Sequence, residues 1–240
     1  MFIDRIGVVV LSHFDNKYYK TSDKIEKLII FIHGYNGSPE AIDYAVQYLR
    51  GQLSNAVIVV PRAPHICEKD AQNLQWLSFY KVDPKARFRA ADASVEEIFG
   101  IFDALAADFA KTSARINLFI NEMQQQFAID DTHTYIAGFS QGAMLALCTA
   151  LTRQKQVAGC IMLAGIVPAR SWLELNIISR PPILVLHGRD DATVQFKTLP
   201  ITLKWLEENN LKYQCETYDN LMHKMNIPEL QKLADFINRD

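Results

Sequence analysis

Strand candidates recur along the chain at 6–11, 28–32, 56–60, 134–138, 157–163, 183–186 and 213–218, most of them short apolar runs rich in β-branched residues. Several are apolar on successive positions rather than alternate ones. That pattern predicts strands covered on both faces, as in a parallel sheet. Between the runs the apolar positions switch to a helical period, predicting helices at 39–53, 95–109, 113–127, 141–151, 198–208 and 228–238. Ser38 is placed to cap the first of these, with Pro39 at its first position. Strands alternating with helices predict βαβ units in a mostly parallel sheet of about seven strands, with helices on both faces. Residues 61–93 fit this rhythm least. They form a long irregular connection carrying Trp76, Leu77, Phe79 and Tyr80, and such connections often serve function. No repeat, low-complexity stretch or Pro/Gly/Ser-rich linker divides the chain, so a single α/β domain over 1–240 is expected.

Composition narrows the function classes. A net charge of −2, with no block of like charges, gives no electrostatic basis for binding nucleic acid or an anionic membrane. No apolar run approaches the length of a membrane span, so stable membrane insertion is not expected. The start, Met-Phe-Ile-Asp-Arg, lacks the positive region and cleavage site of a signal peptide. Four scattered cysteines, with no Cys-x-x-Cys pair, do not resemble a disulfide framework. A cytoplasmic protein is expected. Neither HExxH nor a Cys/His cluster is present, and no metal or other cofactor is implied.

The chemistry begins at Gly138-Phe-Ser-Gln-Gly142. Gly-x-Ser-x-Gly is a weak signal by itself, but here Ser140 lies between a predicted strand and a predicted helix. That is the context of a nucleophile elbow. A sharp strand-to-helix corner crowds its neighbours, and glycines on either side provide the space. The hydroxyl then projects from the sheet while N–H groups at the helix start can stabilise an oxyanion. A serine nucleophile needs a base, and the base needs an orienting partner. Of six histidines only His187 and His223 follow Ser140, and His223 lies in a loop between the last predicted strand and helix. Between serine and histidine, the run 183–186 ends in His-Gly-Arg-Asp-Asp, so Asp190 and Asp191 are both candidate acids. Upstream, 28–32 runs into His33-Gly-Tyr-Asn-Gly37, a turn able to aim the Tyr35 N–H beside that of Gln141. His33 then reads as a structural turn residue rather than a base.

With these pieces placed, the sequence resembles the phospholipase/carboxylesterase family of α/β-hydrolases, which includes the acyl-protein thioesterases. The matching stretches are FIHGYNGS at 31–38, PRAP at 61–64, GFSQGA at 138–143, HGRDDATV at 187–194 and TYDNLMH at 217–223. They spread over nearly the whole chain, and the glutamine after the serine is the most specific of them. The resemblance implies an α/β-hydrolase fold with Ser140 as nucleophile, His223 as general base and Asp191, rather than Asp190, as the acid. It also implies an oxyanion hole from the Tyr35 and Gln141 N–H groups, and Trp76 in a loop lining an acyl channel, with Leu77 beside it as a second substrate-binding residue. Three departures bear on the family branch. Asn36 and Gly37 replace the usual Gly-Asp pair, Ala192 and Gln195 stand where prolines are frequent, and Met222 precedes the histidine in place of glycine.

The expected activity is therefore hydrolysis of a carboxylic ester or thioester through an acyl-enzyme. The aromatics of 76–80 read either as an apolar groove for the acyl chain or as plain core packing. Lysophospholipids, protein S-acyl groups and small soluble esters stand as alternative substrates. The alternative from another class is a non-catalytic binding protein on a hydrolase scaffold.

Overall fold

The computed structural model describes residues 14–239; the run predicted as a strand at 6–11 lies outside them. Among the described residues there are nine strands: β1 (Asn16–Lys20), β2 (Lys27–Ile32), β3 (Ala56–Pro61), β4 (His65–Ile66), β5 (Leu74–Gln75), β6 (Thr134–Phe139), β7 (Gly159–Leu163), β8 (Ile183–Gly188) and β9 (Tyr213–Tyr218). The helices are α1 (Asp43–Gln52), α2 (Val95–Asp103), α3 (Ala106–Phe127), α4 (Gln141–Thr152), α5 (Arg170–Asn176), α6 (Leu199–Glu208) and α7 (Ile227–Ile237). Seven strands form one sheet in the order β1-β3-β2-β6-β7-β8-β9, parallel throughout except for β1. As the unbroken apolar runs require, β3, β7 and β8 are buried at every position. Successive residues of β2 serve opposite faces: Leu28, Ile30 and Ile32 join the core under α2 to α6, whereas Ile29 and Phe31 join the core under α1 and α7.

The departures from expectation have local causes. β1 reads Asn-Lys-Tyr-Tyr-Lys and is largely exposed, so it carries no apolar pattern; it is held by pairing to the outer side of β3. The helices predicted at 95–109 and 113–127 are divided elsewhere, at Ala104–Leu105, and α3 runs unbroken from Ala106 to Phe127. Lys-Thr-Ser at 111–113 reads as a boundary, yet Ser113 is buried within the helix and its hydroxyl donates to the Phe109 carbonyl at 2.7 Å. The Ser38 hydroxyl does cap, but for a single 3-10 turn at Glu40–Ile42 that precedes α1, accepting from the Ala41 N–H at 3.3 Å.

The chain order places the site. From β2 the chain steps outward to β3, then returns to β6 on the other side of β2 and continues outward through β7, β8 and β9. The crevice at the carboxyl ends of β2 and β6 is therefore the switch point at which open α/β sheets bind ligands.

Candidate active site

Ser140 joins β6 to α4 with φ 56° and ψ −119°, a conformation that residues with a Cβ rarely adopt. Such strain costs about 1–3 kcal/mol and is stored where the surroundings over-determine it. They do so here. The Ser140 N–H donates to the Leu163 carbonyl of β7 at 2.9 Å, and its carbonyl accepts from the N–H groups of Ala143 and Met144. A Cβ on Gly142 would lie 2.0 Å from the Ile32 carbonyl oxygen, and one on Gly138 would lie 2.2 Å from that of Gly142. The corner closes only because both positions are glycine. Gln141 then opens α4, where an N–H has no carbonyl one turn earlier to bond.

Asp191 and His223 arrive from the ends of β8 and β9, whose loops are pinned by main-chain bonds from the Arg189 N–H to the Tyr218 carbonyl and from the Asp190 N–H to the Leu221 carbonyl. Asp191 is buried, and its Oδ1 accepts from the N–H groups of Thr193 and Val194 at 2.8 and 2.9 Å. Its Oδ2 faces His223 Nδ1 at 2.7 Å, while His223 Nε2 lies 2.9 Å from Ser140 Oγ. A carboxylate can only accept, so Nδ1 carries the proton and Nε2 is left as the acceptor for the serine hydroxyl. Asp190 is exposed, and no bond joins its carboxylate to His223. The choice between the two aspartates thus falls, on geometry, to Asp191.

The other buried histidines are otherwise engaged. His33 Nδ1 bonds the Gly34 carbonyl at 2.9 Å and its Nε2 accepts from the Ala63 N–H at 3.2 Å. Burial pushes its pKa down to about 4, so this ring is neutral and structural. His187 Nε2 bonds the Val194 carbonyl at 2.9 Å and lies 3.7 Å from Asp191, too far for a hydrogen bond. Burial lowers its pKa as well. A fourth titratable group, Glu229, is buried at the start of α7, where its side chain and that of Asn226 form a reciprocal cap. Burial pushes its carboxyl up to about 7; the Asn226 N–H bond opposes this, and the Asp191 charge adds to it.

The turn after β2 packs against the elbow. Asn36 takes a left-handed φ of 55°, which asparagine tolerates better than most residues. Gly37 pairs with Leu74 of β5, tying this turn to the segment 61–93. Gly34 packs against the elbow, since a Cβ there would lie 3.2 Å from that of Ser140, and Tyr35 is its neighbour in sequence.

In segment 61–93 the packing alternative holds for three side chains. Trp76 and Leu77 are 1% and 4% exposed, and Phe79 is buried too, so these side chains form core rather than an open apolar groove. The Trp76 indole N–H donates to the His33 carbonyl at 2.9 Å, and its ring meets Phe14 edge-on. An acyl chain could touch either residue only by entering the core. The Gln141 side chain explains their placement. Its Oε1 accepts from the Trp76 N–H and its Nε2 donates to the Leu77 carbonyl, both at 2.9 Å. Reading the sequence for backbone donors alone misses this role, although a glutamine amide can pair with a peptide group on both sides at once. Glu68 is likewise missed. Its carboxylate accepts from the N–H groups of Phe79 and Tyr80 and from the hydroxyls of Ser78 and Tyr35.

Among the described residues no cluster of three or more His, Cys, Asp or Glu is arranged to hold a metal ion. A cleft of about 950 Å³ between α3, α5 and the end of α4 contains none of the residues above. Its most buried charge, Arg153, is saturated by Asp131, Asn117, Asn121 and Gln124.

The chain is similar to known carboxylesterases and thioesterases over most of its length. The family model described as Phospholipase/Carboxylesterase matches residues 17–239. Carboxylesterase SOBER1 of Arabidopsis thaliana is 27% identical over 223 residues, covering 88% of this chain and 89% of that protein. Acyl-protein thioesterase 1 of Candida albicans is 27% identical over 225 residues, covering 87% and 90%. Among solved structures, esterase PE8 superposes with a TM-score of 0.79 at 22% identity, covering 93% of this chain and 97% of that one, which shows the shared fold. With the family model spanning nearly the whole chain, the protein belongs to the phospholipase/carboxylesterase family of α/β-hydrolases and is a hydrolase.

Proposed function

We propose that the protein is a serine carboxylic-ester hydrolase of the carboxylesterase/thioesterase type, with Ser140, His223 and Asp191 as its catalytic triad. The observation that carries this reading is the unbroken relay from Asp191 Oδ2 through His223 to Ser140 Oγ at 2.7 and 2.9 Å. His223 Nε2 takes the hydroxyl proton as Ser140 Oγ attacks the ester or thioester carbonyl. Asp191 holds the imidazole in the required tautomer and stabilises its charged form; it does not itself take up the proton. The N–H groups of Tyr35 and Gln141 receive the oxyanion, and the Ser140 N–H, already spent on Leu163, takes no part. His223 then protonates the departing alcohol or thiol. Water, deprotonated by the same ring, cleaves the acyl-enzyme.

We place segment 61–93 as the wall over this site, fastened by Gln141 and Glu68, with its partly exposed Arg89 at the edge beside Tyr35 of the turn after β2. A cytoplasmic setting fits the unpaired state of all four thiols. The test is hydrolysis of p-nitrophenyl esters from acetate to palmitate, beside an acyl thioester and lysophosphatidylcholine. Turnover that depends on Ser140 supports the reading, and chain-length preference reports the depth of the acyl site. Failure to cleave any of these contradicts it in favour of a binding role on the same scaffold.

A further inference from the structure

We propose that Arg89 is a specificity residue that binds an anionic group, a carboxylate or a phosphate, carried by the substrate. The assignment rests on the hydrolase reading of Ser140 and concerns which ester or thioester that site takes.

Position comes first. Arg89 ends a 3-10 turn at Arg87–Arg89 that is suspended between the two loops flanking the nucleophile. On one side, Gln195, just past the turn that holds Asp191, donates from Nε2 to the carbonyls of Phe88 and Ala90, the residues on either side of Arg89. Lys197 extends this seam with bonds to the carbonyls of Ala91 and Ala93. On the other side, the Arg89 guanidinium lies over the Tyr35 ring, 5.4 Å from its centroid. Tyr35 adjoins Gly34, which packs against Ser140. A side chain bracketed by the acid turn and the oxyanion turn stands at the mouth of the site between them.

Charge comes second. Arg89 is half-buried, and its Nε is fully buried without a hydrogen-bond partner; no ion pair neutralises it among the described residues. The carboxylates near it in sequence and space are already used. Arg87 takes both Asp92 and Glu97, Asp83 accepts from the Phe88 N–H, and Glu68 is occupied by the 78–80 turn and the Tyr35 hydroxyl. Orientation comes third. The Phe88 ring, 4.9 Å from the guanidinium carbon, supports Arg89 together with Tyr35, and Phe79 stacks beneath Tyr35 at 5.1 Å. Aromatic faces attract and steer a guanidinium but leave its fork of N–H donors free, and that fork matches carboxylate and phosphate oxygens two at a time. A structural arginine of this chain looks different: all the N–H groups of Arg153 are bonded by protein.

The test uses two matched pairs of acyl esters: p-nitrophenyl butyrate with mono-p-nitrophenyl glutarate, and monobutyrin with 1-butyrylglycerol 3-phosphate. The wild-type protein is expected to cleave the charged member of one pair with a kcat/KM roughly 10- to 100-fold above its neutral partner. Arg89→Gln should bring that ratio close to one, with Arg89→Lys in between. The pair that shows the preference distinguishes a carboxylate from a phosphate. If Arg89→Gln does not fold, the wild type alone decides, because the preference must shrink as NaCl rises from about 20 to about 500 mM. A ratio near one for both pairs, a ratio unchanged in Arg89→Gln, or a preference indifferent to salt overturns the assignment. Cleavage of the neutral esters without any charge preference ends the role of Arg89 and leaves the hydrolase reading standing. Cleavage of none of the four, with no fluorophosphonate labelling of Ser140, ends the hydrolase reading and Arg89's role with it.

Discussion

Ser140, Asp191 and His223 each stand at the carboxyl end of a parallel strand, and main-chain bonds such as Ser140 to Leu163 and Asp190 to Leu221 hold their loops. The segment 61–93 across from them holds only β4 and β5, of two residues each, beyond the end of β3; besides the Gly37–Leu74 main-chain pair it is fastened by the side chains of Glu68, Gln141, Gln195 and Lys197. One wall of the site is thus set by sheet topology and the other by a handful of side-chain tethers. Main-chain bonds survive most substitutions, and tethers do not. On the proposed reading, reaction chemistry belongs to the first wall, and substrate choice can vary by exchanging residues on the second.

Perturbing the first wall should abolish turnover with little effect on folding. Ser140→Ala should lower kcat by about four to six orders of magnitude on any ester cleaved by the wild type. Asp191→Asn should cost about 10³–10⁴-fold in kcat, because an amide in its place lets the imidazole settle in the wrong tautomer. Asp190→Asn, on the exposed neighbour, should stay within about two-fold in the same assay. Equal losses at both aspartates would mean that the turn, rather than the Asp191–His223 bond, is what matters.

Glu229 lies behind the first wall and should reveal itself in stability rather than in rate. Its pKa in the folded protein is raised from the usual carboxyl range to about 7. The folded state therefore holds this proton more tightly than the unfolded chain does. Its contribution is complete below about pH 4.5 and is lost as pH rises through about 7. Glu229→Gln, which can still close the cap with Asn226, should remove that decline. At pH 8 the variant should be more stable than the wild type, by up to about 3 kcal/mol. Urea titrations of both proteins at pH 5 and pH 8 provide the check.

The tethers of the second wall should give the smallest effects. Gln141→Ala leaves the Trp76 N–H and the Leu77 carbonyl buried without partners, and should cost about 1–3 kcal/mol in urea unfolding. Glu68→Gln weakens an exposed carboxylate's bonds to the 78–80 turn. It should cost about 1 kcal/mol or less, with faster proteolysis confined to 61–93 as the more sensitive readout.

The two walls also differ in how far they could be read from the sequence. The buried strands announce themselves as apolar runs, and Gly138-x-Ser-x-Gly142 at a strand-helix joint carries its own steric logic. The order of Ser140, Asp191 and His223 along the chain is legible because each follows a recognisable strand. Choosing Asp191 over Asp190 took the family resemblance, since a turn with two adjacent aspartates does not say which one faces inward. The second wall resists such reading because its contacts join residues distant in sequence, Gln141 to Trp76 and Gln195 to Phe88 and Ala90. Trp76 and Phe79 fit a groove or a core equally well in one dimension and are core in three, whereas Tyr80 stays partly exposed. β1 is missed for the opposite reason: its residues are polar, and only pairing with β3 makes them a strand.

The central claim, that the Asp191–His223 relay arms Ser140 as a nucleophile, is tested most directly by reaction with a fluorophosphonate followed by peptide mass spectrometry. The account predicts one adduct per chain, on Ser140, with labelling slowed by orders of magnitude in His223→Ala and absent in Ser140→Ala. Labelling at another residue, or at Ser140 with the same rate in His223→Ala, would contradict it.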